Sequence, residues 1–147
     1  MEKLIGLSLH YITAILWFSY ALGIFHLGLR IRKQGENIKA IFVNEIYNKS
    51  LIFIIIFATI NIFMGLYLLH LYRINIFEFT NITLYLGGIF GLIAYLITIY
   101  QFISKRYIKN IDRYLNAHIR LLSLVVLFLF LALLFMFLAA EGIVISL

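Results

Sequence analysis

The sequence predicts an all-α integral membrane protein, an up-down-up-down four-helix bundle with both termini outside. Three observations point there. Of its 147 residues 65% are hydrophobic and only 12% charged, with a mean hydropathy of +1.07, about half the charge of an ordinary soluble domain. Four apolar runs, at about 4–29, 51–72, 84–103 and 121–140, each have the roughly 20 residues that cross a ~30 Å hydrocarbon core. Ten of the twelve basic residues lie between the first and second runs or between the third and fourth, so the positive-inside rule assigns those connections to the cytoplasm of an inner (plasma) membrane.

Taken in order, the first run is too long for a cleaved leader and is followed by further spans, so it is expected to stay as helix 1. A basic segment at 30–50, with room for some helix, leads to the second span. An outer turn near 73–83 precedes the third span, and a second basic segment at 104–120 precedes the fourth. Connections this short make consecutive helices antiparallel neighbours, and the whole chain, 1–147, is one domain. There is no proline to kink a span and no cysteine, which removes disulfides, iron–sulfur ligation and thioether-linked haem together. The basic balance is accounted for by topology and anionic headgroups, without a nucleic-acid partner.

The four histidines sort by depth. His10 lies six residues into helix 1, about 9 Å below its outer end at 1.5 Å per residue, and His70 is near the outer end of the second span. His26 and His118 fall at the inner level. Each level draws on two helices, and two imidazoles at one depth are what six-coordinate haem b needs. The metal ligands read from the pattern are therefore His10 and His70, with His26 and His118 as the pair for a second haem iron. One haem is expected and a second left open. His10 and His26 stand sixteen residues and about 160° apart around a straight helix, which argues for one central site. The plainer reading of His26 and His118 is as interfacial residues facing phospholipid.

Small residues flank the outer level. On helix 1, Gly6, His10, Ala14, Trp17, Ala21 and Gly28 share one face; on the third span Gly87, Gly91, Ala94, Thr98 and Gln101 do. Such stripes leave room for a flat macrocycle, or else pack helix on helix as G-x-x-x-G. Arg73 outside, and Arg30, Arg113 and Arg120 inside, are placed to meet haem propionates or simply to reach headgroups. Glu141, at the outer boundary, either takes a quinol proton or ends its helix in water, and Thr59 and Asn61 bond across helices.

His10 followed by Trp17 and Phe18, in a four-helix chain of this length, resembles the HemJ-type protoporphyrinogen oxidases and the related CopD-like membrane proteins. The family's Arg-x-x-Asn-Glu-x-Pro motif at the start of the fourth helix is matched by Arg113 and Asn116, with Ala117 and Ile119 at its Glu and Pro positions. Tyr100 and Gln101 stand where the family has Tyr-His. The resemblance implies a haem-b-binding membrane oxidoreductase ancestry. The leading expectation is a small b-type cytochrome carrying electrons between a quinone-like or porphyrin-like molecule and a partner. The alternatives are a HemJ-like protoporphyrinogen IX dehydrogenase and a cofactor-free accessory subunit, with a protein partner or a second copy of the chain left open.

Overall fold

A computed structural model describes residues 2–72, 82–104 and 110–140, with the side chains of Lys3 and Ala140 excepted. Arg73, Glu141, Lys105, Arg106 and Lys109 lie outside the described residues. The described chain is helical apart from short turns: α1 (Glu2–Ile31), α2 (Glu36–Ile41), a π-helical segment (Phe42–Tyr47), α3 (Asn48–Leu71), α4 (Ile82–Ser104) and α5 (Ile111–Ala140). Because α2, the π segment and α3 meet with helical dihedrals at Ile41, Phe42, Tyr47 and Asn48, they form one unbroken helix. Four helices are thus long and apolar enough to cross a membrane, those within 4–31, 36–71, 82–104 and 111–139. The chain is a multi-pass membrane protein built as an all-α four-helix bundle.

Two helix starts differ from the sequence expectation. The second spanning helix begins at Glu36, after a tight turn at 32–35, rather than at 51, and the fourth begins at Ile111 rather than 121. Hydropathy marks where hydrocarbon begins, whereas a helix continues through polar residues while its backbone bonds are met. Gly35 receives the N–H groups of Ile38 and Lys39. Asn110 caps α5, its Oδ1 accepting the Arg113 N–H at 2.9 Å, as an N-cap side chain does for an orphan donor of the first turn.

Contacts between helices fix the relative direction of each pairing. Gly6 meets Tyr67 and Leu68, His10 meets Gly65, and Tyr20 stacks on Phe53, so positions along α1 rise as those along α3 fall. The same antiparallel relation holds for α4 and α5, where Gly87 meets Ala132 and Met136 while Gln101 meets His118. Gly28 against Ile119 and Thr59 against Tyr95 close the ring as α1–α3–α4–α5. The four spanning helices therefore alternate up and down in chain order.

Lipid tails are as apolar as leucine, so these helices are held by close packing and interhelical bonds rather than by hydrophobic burial. A Cβ at Gly28 would stand 3.1 Å from Ile119 Cγ1, and one at Gly87 would stand 3.4 Å from the Ala132 carbonyl oxygen. The buried residues of α4 are Thr83, Gly87, Gly91, Ala94, Thr98 and Gln101, which contain the stripe read from the sequence. On α1, Gly6, Ala14, Trp17, Ala21 and Gly28 are likewise buried. Leu4, Ile12, Ile15, Phe63, Phe130 and Phe137 are exposed, as lipid-facing positions must be.

Candidate functional site

Two polar clusters interrupt the apolar interior, one toward each end of the bundle. Toward the start of α1, Asn61 of α3 spans the seam to α1. Its Nδ2 donates to the His10 carbonyl at 2.7 Å and to Thr13 Oγ1 at 3.2 Å, and Thr13 donates to the Leu9 carbonyl at 2.8 Å. His10 Nδ1 lies 3.0 Å from the Asn61 carbonyl oxygen. A carbonyl only accepts, so Nδ1 carries the imidazole proton and donates. The neighbouring Asn61 Nδ2, 3.2 Å from Nδ1, has both hydrogens engaged elsewhere. His10 Nε2 is then left with its lone pair free of any partner among the described residues. A metal-binding histidine is oriented in this way, with the other ring nitrogen donating to a backbone carbonyl.

Two further features lie on the same core faces. Trp17, 1% exposed, meets the ring of Tyr95 edge-on at 6.4 Å, and its Nε1–H has no acceptor among the described residues. Buried polar hydrogens without a partner cost about 1–3 kcal/mol, so this one calls for an explanation. Gly91 is buried, yet a Cβ added there would meet nothing within 4 Å. Of the two α4 glycines read as flanking a macrocycle, Gly87 instead packs on α5 while Gly91 borders open space.

The expected outer histidine pair does not converge. His10's ring rests on Gly65, 3.2 Å from where its Cβ would be, whereas His70 is exposed five residues further along α3, about 7.5 Å along the axis and ~140° around it. The inner pair is also split. Contact of Gly28 with Ile119 places His26 and His118 at one level, but His26 is exposed and His118, 3% exposed, turns into the bundle. Depth was readable by counting residues; direction around the helix separates both pairs.

The second cluster surrounds His118 and was not anticipated as a unit. Tyr47, at the end of the π segment, and His118, two turns into α5, approach to 2.6 Å between Oη and Nδ1. Gln101 of α4 donates from Nε2 to Tyr47 Oη and to the His118 carbonyl, both at 3.2 Å. Among the described residues Nδ1 is the one acceptor in reach of the Tyr47 hydrogen, so Tyr47 donates to Nδ1, which leaves Nε2 protonated to donate to Ser104 Oγ at 3.1 Å. Ser104 in turn donates to the Gln101 carbonyl at 3.1 Å. The Tyr114 ring stacks on the imidazole with centroids 4.0 Å apart. Every hydrogen in this chain thus has an assigned direction.

A cavity of about 360 Å³ opens beside the cluster, lined by Tyr100, Ser104, Arg113, Tyr114 and His118 among others. Arg113 is exposed and Arg73 lies outside the described residues. Asp112 is engaged by Lys39 at 2.6 Å. Among the described residues no three histidines or carboxylates gather as a metal cluster. No protein-family model matches this chain, and no curated protein or solved structure matches it.

Proposed function

We propose that the protein is a membrane b-type haem protein with one haem, held by His10 as its protein ligand. The observation that carries the reading is the Nδ1 bond of His10 to the Asn61 carbonyl, which orients the ring and leaves Nε2 as a free donor atom for iron. Two features support it: the unpartnered Nε1–H of Trp17, which an acceptor on a bound group would satisfy, and the open space beside Gly91. The residues present fit one axial ligand and do not fit the bis-histidine pair of His10 and His70. Bound there, haem would supply one-electron chemistry inside the bilayer. Asn61 would hold the imidazole through its backbone carbonyl.

Electron carriage is favoured over porphyrinogen dehydrogenation because the residues matching the fourth-helix motif are remote from His10. Arg113 and Asn116 belong to the end of the bundle where Gly28 meets Ile119, and Gly28 is eighteen residues, about 27 Å, along α1 from His10. Pyridine haemochrome analysis of protein purified from haem-replete cells tests the reading. One b-type haem per chain is expected; its absence contradicts haem binding altogether.

The orientation we infer places the basic connections in the cytoplasm and both termini outside, in the plasma membrane, because ten of twelve basic residues lie on one side. A reporter fused after Leu147 is expected to read as external. A cytoplasmic signal inverts the orientation.

A further inference from the structure

We propose that Met136 faces His10 across the bundle and supplies the second axial bond to the haem iron through its thioether sulfur. The proposal rests on the haem reading and adds the atom opposite His10 Nε2, where no second histidine fits. Two independent registers put Met136 at the level of His10. Gly28 of α1 packs on Ile119 of α5, and these helices are antiparallel. His10 lies eighteen residues before Gly28 and Met136 seventeen after Ile119, so both counts end at one depth. Trp17 of α1 meets Tyr95 of α4, and these helices are parallel. Seven residues back along each come His10 and Gly88, and a Cβ at the adjacent Gly87 would stand 3.4 Å from Met136 Cγ.

Direction agrees with depth. Met136 follows His118 by eighteen residues, which is five whole turns at 100° per residue, so it lies on the line of α5 along which His118 turns into the bundle. His10 occupies the seam of α1 with α3, through Asn61 and Gly65, and Met136 the seam of α4 with α5, through Gly87. In a ring ordered α1–α3–α4–α5 those two seams face one another, and Gly91, one turn beyond Gly87, borders open space on the second side. A methionine there fills volume flexibly and also offers a soft, neutral donor of the kind that haem iron accepts opposite histidine. The chain has three methionines and no cysteine. Met64 precedes Gly65, against which His10 rests, and so belongs to His10's own side of the bundle; Met1 lies outside the described residues.

Optical and redox titration of the haem-loaded full chain in detergent tests this. Met136→Leu is the central variant, because leucine keeps the volume packed against Gly87 and removes the sulfur. The unmodified protein is expected to be low-spin in both oxidation states and to show the weak long-wavelength band of sulfur-to-ferric-iron charge transfer. Met136→Leu should keep most of its haem through His10, lose that band, turn high-spin and bind carbon monoxide faster. Met136→His should be low-spin without the band and have a lower reduction potential, since methionine opposite histidine raises it. Met64→Leu should match the unmodified protein. Three results would each overturn the assignment while leaving His10 as ligand: a five-coordinate unmodified protein, a spectrum without the sulfur band, as an oxygen or amine ligand from Glu78, Glu141 or Lys3 would give, or an unchanged band in Met136→Leu. Absence of haem from the unmodified protein removes both readings together.

Discussion

Tyr47 and His118, 71 residues apart in sequence, are joined by a 2.6 Å hydrogen bond inside the bundle. Through Gln101 and Ser104 that bond ties the π segment, α4 and α5 at one end of the molecule. Tyr47→Phe keeps the ring but leaves His118 Nδ1 and one Gln101 hydrogen without a partner. The expected loss is about 1–3 kcal/mol, read as a lower unfolding temperature by circular dichroism in detergent. Gln101→Leu made in the Tyr47→Phe background should cost less than in the unmodified protein, because the two act in one network.

Lys39 and Asp112 form an unequal ion pair. The lysine side chain is 14% exposed and the aspartate 46%, so removing the aspartate strands the more buried charge. Asp112 also sits in the first turn of α5, where a negative charge complements the helix dipole. Asp112→Ala is therefore expected to destabilise more than Lys39→Ala, whose cost should stay within about 1 kcal/mol. Equal losses in parallel melts would contradict the assignment.

Gly65 and Gly91 should respond to substitution in opposite ways. A Cβ at Gly65 would press on His10 Cε1 at 3.2 Å, and that ring is tethered to Asn61. Gly65→Ala should displace the imidazole and lower haem content. At Gly91 a methyl group meets nothing within 4 Å, and alanine favours helix over glycine by about 1 kcal/mol, so Gly91→Ala should keep or raise the unfolding temperature. Gly91→Leu fills the space, and is expected to fold while binding less haem. Unchanged haem content in Gly91→Leu would remove that space from the site.

Trp17 combines dense packing with a stranded N–H. In haem-free protein, Trp17→Phe gives up contact area but also removes the unsatisfied donor, and the two effects are of similar size. Its net cost should be within about 1 kcal/mol, against about 3–5 kcal/mol for Trp17→Ala. Circular dichroism is the suitable probe, since Trp17 is the only tryptophan.

The parts of this fold legible in the sequence are those for which one helical period suffices. The buried faces of α1 and α4 could be read because small and polar residues mark helix contacts in lipid, and Gly87 through Gln101 repeat at that period. Trp17 was placed on the correct face as well. The helix starts at Glu36 and Ile111 were missed because their first turns are polar, although Asn110 followed by Asp112 is a capping pattern. Tyr47 fell in a segment read as a connection, and tyrosines there look interfacial. His70 and His26 shared levels with His10 and His118, but depth carries no information about direction. The 160° offset between His10 and His26 was the one sign that a single helix could not present both inward. Gln101 was on the predicted stripe, yet its partners become visible only when three helices are brought together.

Haem stoichiometry across histidine variants tests the reading of His10 most directly. The Nδ1 bond to the Asn61 carbonyl distinguishes it from His26 and His70, which are exposed, and from His118, whose two ring nitrogens are both engaged. Pyridine haemochrome per mole of protein should fall by most of its value in His10→Ala and stay near that of the unmodified chain in His26→Ala and His70→Ala. Full haem retention in His10→Ala, or an equal loss in His70→Ala, would contradict ligation by His10.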